Sequence, residues 1–96
     1  MKSLTIQQIQ SKTAPILRAN GATRAELFGS VARGEATDKS DVDILVELPK
    51  SQSLLDVIHL KNELEDALGA KVDLVEYDAI KPILRPYIMQ NLIPLL

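Results

Sequence analysis

One charge lodged inside an apolar run limits what this chain can become. In Asp41-Val42-Asp43-Ile44-Leu45-Val46 the aliphatic residues are mostly β-branched, the composition of a strand. Side chains on a strand alternate between faces, so Asp41 and Asp43 project from the same side, about 6.5–7 Å apart along the chain. Val42, Ile44 and Val46 then point the other way, toward a core. A carboxylate inside such a run needs a reason, because charged residues are rarely buried without a partner. An earlier apolar stretch ends in Gly29-Ser30. Two carboxylates at the mouth of a strand, beside a glycine-serine turn, suit a divalent metal that holds a phosphate.

The other elements follow from periodicity and punctuation. Residues 4–20 read as a helix opened by a Thr5/Gln8 capping box and stopped by Asn20-Gly21, with Pro15 expected to kink or restart it. Residues 22–28 form a first strand, anchored by Leu27 and Phe28. A brief helix over residues 30–34 and a polar turn at Asp38-Lys39-Ser40 lead into the second strand, residues 41–48. Ser53 with Asp56 opens a helix over residues 54–68, capped by Gly69, with an apolar stripe of Leu54, Val57, Ile58, Leu64, Ala67 and Leu68. Residues 71–76 alternate as a third strand, with Asp73 and Val75 on one face. The strand–helix–strand unit predicts that strands two and three are parallel neighbours. From Asp78 onward Ile80, Ile83, Leu84, Tyr87, Ile88 and Leu92 keep a helical stripe that Pro82 and Pro86 bend. The fold class is therefore α/β (α+β), a small mixed three-stranded sheet flanked by helices.

Composition sets the outer bounds. The 96 residues are expected to make one domain spanning 1–96, with an aliphatic core, since the chain has no Trp, one Phe and two Tyr. The absence of Cys rules out disulfides, thiolate metal sites and a cysteine nucleophile, and fits the cytoplasm. Nothing at the N-terminus reads as a signal peptide, and no apolar run approaches a membrane span. The formal net charge of −2, with Lys and Arg scattered and no interleaved aromatics, argues against direct nucleic-acid binding. Polymerase-like work by this chain alone is not expected.

Three carboxylates draw the chemistry together. If Asp73 shares a face with Asp41 and Asp43, like charges converge, raise one another's pKa and call for a cation. An all-oxygen ligand set beside a phosphate suits Mg²⁺, or Mn²⁺ in its place. The backbone N–H groups at Gly29-Ser30 would hold phosphate oxygens, and glycine permits close approach. Arg33 would face the same anion. Each residue alone has a plainer reading: a solvated Asp at a strand end, a simple Gly-Ser turn, a surface arginine. His59, mid-helix with no carboxylate or thiol arranged around it, reads as structural or solvated.

Gly29-Ser30, ten residues and then Asp41-x-Asp43 reproduce the signature of the DNA polymerase β-type nucleotidyltransferase superfamily. The wider run Leu27-Phe28-Gly29-Ser30-Val31-Ala32-Arg33-Gly34, followed by Ser40-Asp41-Val42-Asp43-Ile44-Leu45-Val46, resembles its minimal nucleotidyltransferase (MNT) branch, commonly the antitoxins of HEPN/MNT toxin–antitoxin pairs. The resemblance implies that Asp41 and Asp43 bind a pair of Mg²⁺ ions and that Asp73 completes the triad beside the attacking hydroxyl. It assigns Gly29 and Ser30, with Arg33 as a weaker candidate, to the β- and γ-phosphates of ATP. The implied reaction moves AMP from ATP to a tyrosine of a cognate HEPN ribonuclease toxin, within a hetero-oligomeric complex, and releases pyrophosphate. A chain this small lacks an acceptor-binding domain, so a partner should supply the acceptor. The apolar segment with Tyr87, Ile88, Leu92, Ile93, Leu95 and Leu96 is a candidate docking surface. Two alternatives stay open: an antitoxin that neutralises by binding alone, and a nucleotidyltransferase acting on a small molecule such as an aminoglycoside.

Overall fold

The computed structural model describes residues 4–37 and 40–96. Helix α1 (Ile6–Ala19) begins at a capping box, in which the Thr5 hydroxyl accepts the Gln8 amide at 3.0 Å and the Gln8 side chain accepts the Thr5 amide at 2.8 Å. Pro15 lies inside α1, which continues through it as one helix and does not restart there. The proline lies on the exposed side, where the carbonyl it leaves without an amide donor faces water. Strand β1 (Arg24–Phe28) passes directly into α2 (Gly29–Ala32), a single turn. Of the turn expected at Asp38-Lys39-Ser40, Asp38 and Lys39 lie outside the described residues; Ser40 donates its amide to the Thr37 carbonyl at 3.0 Å. Strand β2 (Val42–Glu47), helix α3 (Leu54–Leu68) and strand β3 (Val72–Glu76) follow. A second capping box at Ser53/Asp56 opens α3, and Gly69, at φ +64°, closes it in the left-handed conformation that glycine adopts without penalty.

The sheet has four strands in the order β3-β2-β1-β4, where β4 is the short segment Ile93–Pro94. Strand β1 pairs antiparallel with both β2 and β4, and β2 pairs parallel with β3, as the crossover through α3 requires. The sheet is mixed as expected, and β4 adds an edge to the three strands legible in the sequence. Period-two alternation divides β2 between two faces. Val42, Ile44 and Val46 join Ile9 and Leu17 of α1 and Leu60, Leu64 and Leu68 of α3 in the main core. Leu45 turns to the other face, where it packs with Phe28 and Ile80.

Two expected helical stripes are corrected. On α3 the buried face runs through Leu60, Leu64 and Leu68, while Leu54 and Leu55 are each 76% exposed and Ile58 is 44% exposed. The leucines of its first turn therefore meet solvent. The segment after Asp78 is not one bent helix. It breaks into a 3₁₀ turn (Tyr77–Ala79), the one-turn helix α4 (Arg85–Ile88), a left-handed residue at Asn91 (φ +57°) and β4. Pro82 and Pro86 lack the amides that would continue a helical ladder. In this segment Ile80 and Leu95 are buried and Ile88, Leu92 and Ile93 half-buried, whereas Ile83, Leu84 and Tyr87 are exposed. Most of the apolar stretch expected to be a docking surface therefore completes the fold. Among the described residues no helix is long and apolar enough to cross a membrane.

Candidate active site

The open face of the sheet is organised in rows set by strand register. The first row holds Phe28, Asp43 and Asp73: Phe28 is opposite Asp43 in the β1–β2 pair, and Asp73 is level with Asp43 in the β2–β3 pair. The second row holds Glu26, Leu45 and Val75. The residues after β3 fold over this second row, with Ile80, Ile88, Met89 and Leu92 on Phe28 and Leu45. The carboxylate row stays at the margin of that cover. Asp43 is half-buried, and Asp41 and Asp73 are exposed.

Gly29 adjoins this row because it directly follows Phe28. Its φ of +73° is a left-handed conformation that L side chains rarely adopt. A β-carbon there would also collide with the Asp43 carboxylate, coming within 3.1 Å of its Cγ. The backbone of the Gly-Ser turn and the acid are thus in direct apposition. Ser30 is half-buried in the same turn, and its carbonyl accepts the Glu35 amide at 2.9 Å. Arg33 caps α2 and pairs through Nε with Glu35 at 3.3 Å.

Electrostatics tie the group together. Burial raises the Asp43 carboxyl from its ordinary 3.8 to about 6, reinforced by the negative charges of Asp73 and then Asp41, and opposed by Arg33. The sequence-predicted residues Gly29, Arg33, Asp41, Asp43 and Asp73 therefore act on one locale. Among the described residues, no three His, Cys, Asp or Glu side chains stand close enough to cage a metal ion as they are. The expected convergence is one of register and charge, and two of the three acids, Asp41 and Asp73, are exposed. The donor set still fits a hard divalent cation. It offers carboxylate oxygens alone, and the neighbours that raise the proton affinity of Asp43 are the charges a cation would neutralise.

Two further features lie on this face. The Tyr77 hydroxyl donates to Glu26 Oε1 at 2.8 Å, Arg24 pairs with the same oxygen at 2.8 Å, and the guanidinium stacks 4.5 Å above the Tyr77 ring. Burial and then the bond to Glu26 push the Tyr77 phenol upward. Sequence reasoning missed this trio; the only trace of it is the alternation of Arg24 and Glu26 on one strand face. Beside it a cleft is lined by Glu47, Lys50, Glu76, Tyr77 and Asp78. It opens at the far end of β2, about 13 Å of strand from Asp43, and belongs to a different region of the surface. His59 is exposed, as a solvated residue should be, but contrary to the expectation of no neighbouring carboxylate its Nε2 lies 3.2 Å from Glu63 one helical turn on.

Known proteins resemble this sequence and share this fold. The model of the family described as "nucleotidyltransferase domain" matches residues 11–95. A Methanocaldococcus jannaschii protein named as a putative protein adenylyltransferase is 44% identical over 93 residues, covering 97% of this chain and 100% of the relative. The protein adenylyltransferase MntA of Thermococcus cleftensis is 42% identical over 89 residues, covering 84% of this chain and 86% of the relative. Among solved structures, a putative minimal nucleotidyltransferase superposes with a TM-score of 0.82 at 35% identity, covering 98% of this chain and 99% of the other. A chain from a toxin–antitoxin crystal structure with AMP-PNP gives a TM-score of 0.77 at 27% identity, covering 91% and 72%.

Proposed function

This chain belongs to the nucleotidyltransferase domain family, in its minimal branch, and from that premise we propose that it transfers AMP from ATP to a tyrosine hydroxyl of a partner HEPN ribonuclease toxin. It does so as that toxin's antitoxin, in the cytoplasm, with residues 1–96 acting as a single domain. The observation that carries the reading is the row Phe28-Asp43-Asp73, with the Gly29 turn seated against Asp43. Relatives named as protein adenylyltransferases, and a toxin–antitoxin neighbour crystallised with AMP-PNP, support the choice of nucleotide, reaction and partner.

In this reading Gly29 and Ser30 hold the β- and γ-phosphates, and Arg33 adds its charge to them. Asp41, Asp43 and Asp73 hold Mg²⁺ as a pair of ions, which would supply charge neutralisation at the α-phosphate and the departing pyrophosphate. The acceptor hydroxyl oxygen bonds to the α-phosphorus while the bond from that phosphorus to the β-bridging oxygen breaks. Pyrophosphate leaves with the electron pair, and the hydroxyl proton passes to a carboxylate. The exposure of Asp73 on the edge strand β3 supports it in that role, since an acceptor carried by another protein approaches from an open edge.

Intact-mass measurement of the cognate toxin, incubated with this chain, ATP and Mg²⁺, tests the proposal. The toxin should gain one or more AMP groups, and the Asp41→Ala/Asp43→Ala double variant should add none. Inhibition of the toxin by both forms with no mass gain would leave an antitoxin that works by binding.

A further inference from the structure

The chain has two tyrosines, and the fold treats them differently. Tyr77 is committed, with its hydroxyl on Glu26 and its ring beneath Arg24. Tyr87 is 72% exposed, and its hydroxyl makes no hydrogen bond among the described residues. It belongs to α4, whose following residues Ile88 and Met89 pack on Phe28, Leu45 and Ile80. Phe28 is in turn the residue opposite Asp43 and the one that leads into Gly29. An exposed phenol thus rides on the segment whose Ile88 and Met89 pack on Phe28, the residue opposite Asp43, on the same face of the sheet as the carboxylate row.

We propose that Tyr87 is itself an acceptor, so that the chain adenylylates its own hydroxyl there. The inference rests on the transfer reading given above. Tyr87 Oη bonds to the α-phosphorus of ATP, the bond from that phosphorus to the β-bridging oxygen breaks, and pyrophosphate leaves. The phenolic proton passes to a carboxylate of the site or to water. An acceptor tethered to the site's own fold meets it at high effective concentration, which favours this step over reaction with free hydroxyls in solution. The product sets a phosphodiester anion and an adenosine beside Ile83 and Leu84, which are 77% and 47% exposed. An apolar surface becomes an anionic one.

The test is to incubate the full chain with ATP and Mg²⁺, measure its intact mass and map any label by tandem mass spectrometry. A parallel reaction supplies the cognate HEPN toxin as acceptor. The expected result is one adenylyl group on Tyr87, absent from Asp41→Ala/Asp43→Ala. It should also be lost from Tyr87→Phe, whose unchanged thermal melt shows that it is folded. A labelled toxin beside an unlabelled chain would overturn the inference and leave the transfer reading standing. So would label on the chain at another residue, Tyr77 included. Absence of label from both proteins would remove the transfer reading and this inference with it.

Discussion

Gly29 opens α2 and Asp43 lies within β2, yet the backbone of the first lies directly against the carboxylate of the second, with no space for a β-carbon between them. The antiparallel register produces this contact: Phe28 is level with Asp43, and the chain turns at the next residue.

Gly29→Ala should therefore fail twice, through the collision and through a φ of +73°. The combined cost should be about 2–4 kcal/mol of stability, with loss of transfer. Gly34→Ala is the control, because Gly34 shares the φ of +73° but nothing lies within 4 Å of the added carbon. It should cost only about 1 kcal/mol, read by urea denaturation of both variants.

Stability should fall with rising pH across the range in which Asp43 titrates. Its folded pKa of about 6 lies above the ordinary 3.8, so in that interval the native state keeps a proton that the unfolded chain has released. The stabilisation is complete below the ordinary value, is lost as pH rises through the folded value, and is flat above it. Because the group is half-exposed and screened, Asp43→Asn should raise stability at pH 7 by only about 1–2 kcal/mol. Urea melts of the two proteins from acid to neutral pH should diverge over that window, while the variant loses transfer.

Mg²⁺ should raise the melting temperature of the wild-type chain and act much less on Asp43→Asn, since the ion relieves the repulsion that Asp73 and Asp41 impose on Asp43. At a hundredfold excess over the dissociation constant the gain is about 2.7 kcal/mol. Chelation should abolish both the shift and the transfer. Equal stabilisation of the two proteins would move the ion elsewhere.

Truncation on α3 separates its true face from its apparent one. Leu60→Ala, at a fully buried position, should cost about 2–5 kcal/mol. Leu54→Ala, at a position 76% exposed, should change stability by less than about 0.5 kcal/mol. Thermal melts of both variants decide the assignment.

What was legible in the sequence and what was not follow one physical divide. Asp43 stood out because a charge in an aliphatic run conflicts with burial, and Gly29-Ser30 because a glycine ends a strand; both are local signals. The parallel pairing of β2 and β3 was legible from the length of the crossover. Leu60 was overlooked because the choice among neighbouring helical stripes depends on how α3 packs against α1 and the sheet, which the helical period alone does not fix. Strand β4 had no signal of its own. Ile93 and Pro94 become a strand only because β1 offers Glu26 and Leu27 as partners, and the Leu95 amide reaches the Ala25 carbonyl at 2.9 Å. The trio of Arg24, Glu26 and Tyr77 was likewise unreadable, since its members meet only through tertiary approach.

The alternation of β2 has a consequence for quality control. Val42, Ile44 and Val46 serve the core while Asp43, between them, faces the candidate site. A slip of one residue in pairing would bury the acid among leucines and expose isoleucine and valine to water, so the wrong register is strongly disfavoured. Chemistry and packing are interleaved on one strand and stand or fall together. A misregistered chain cannot keep a partly working centre, and detectable turnover would itself report that the molecule is correctly threaded.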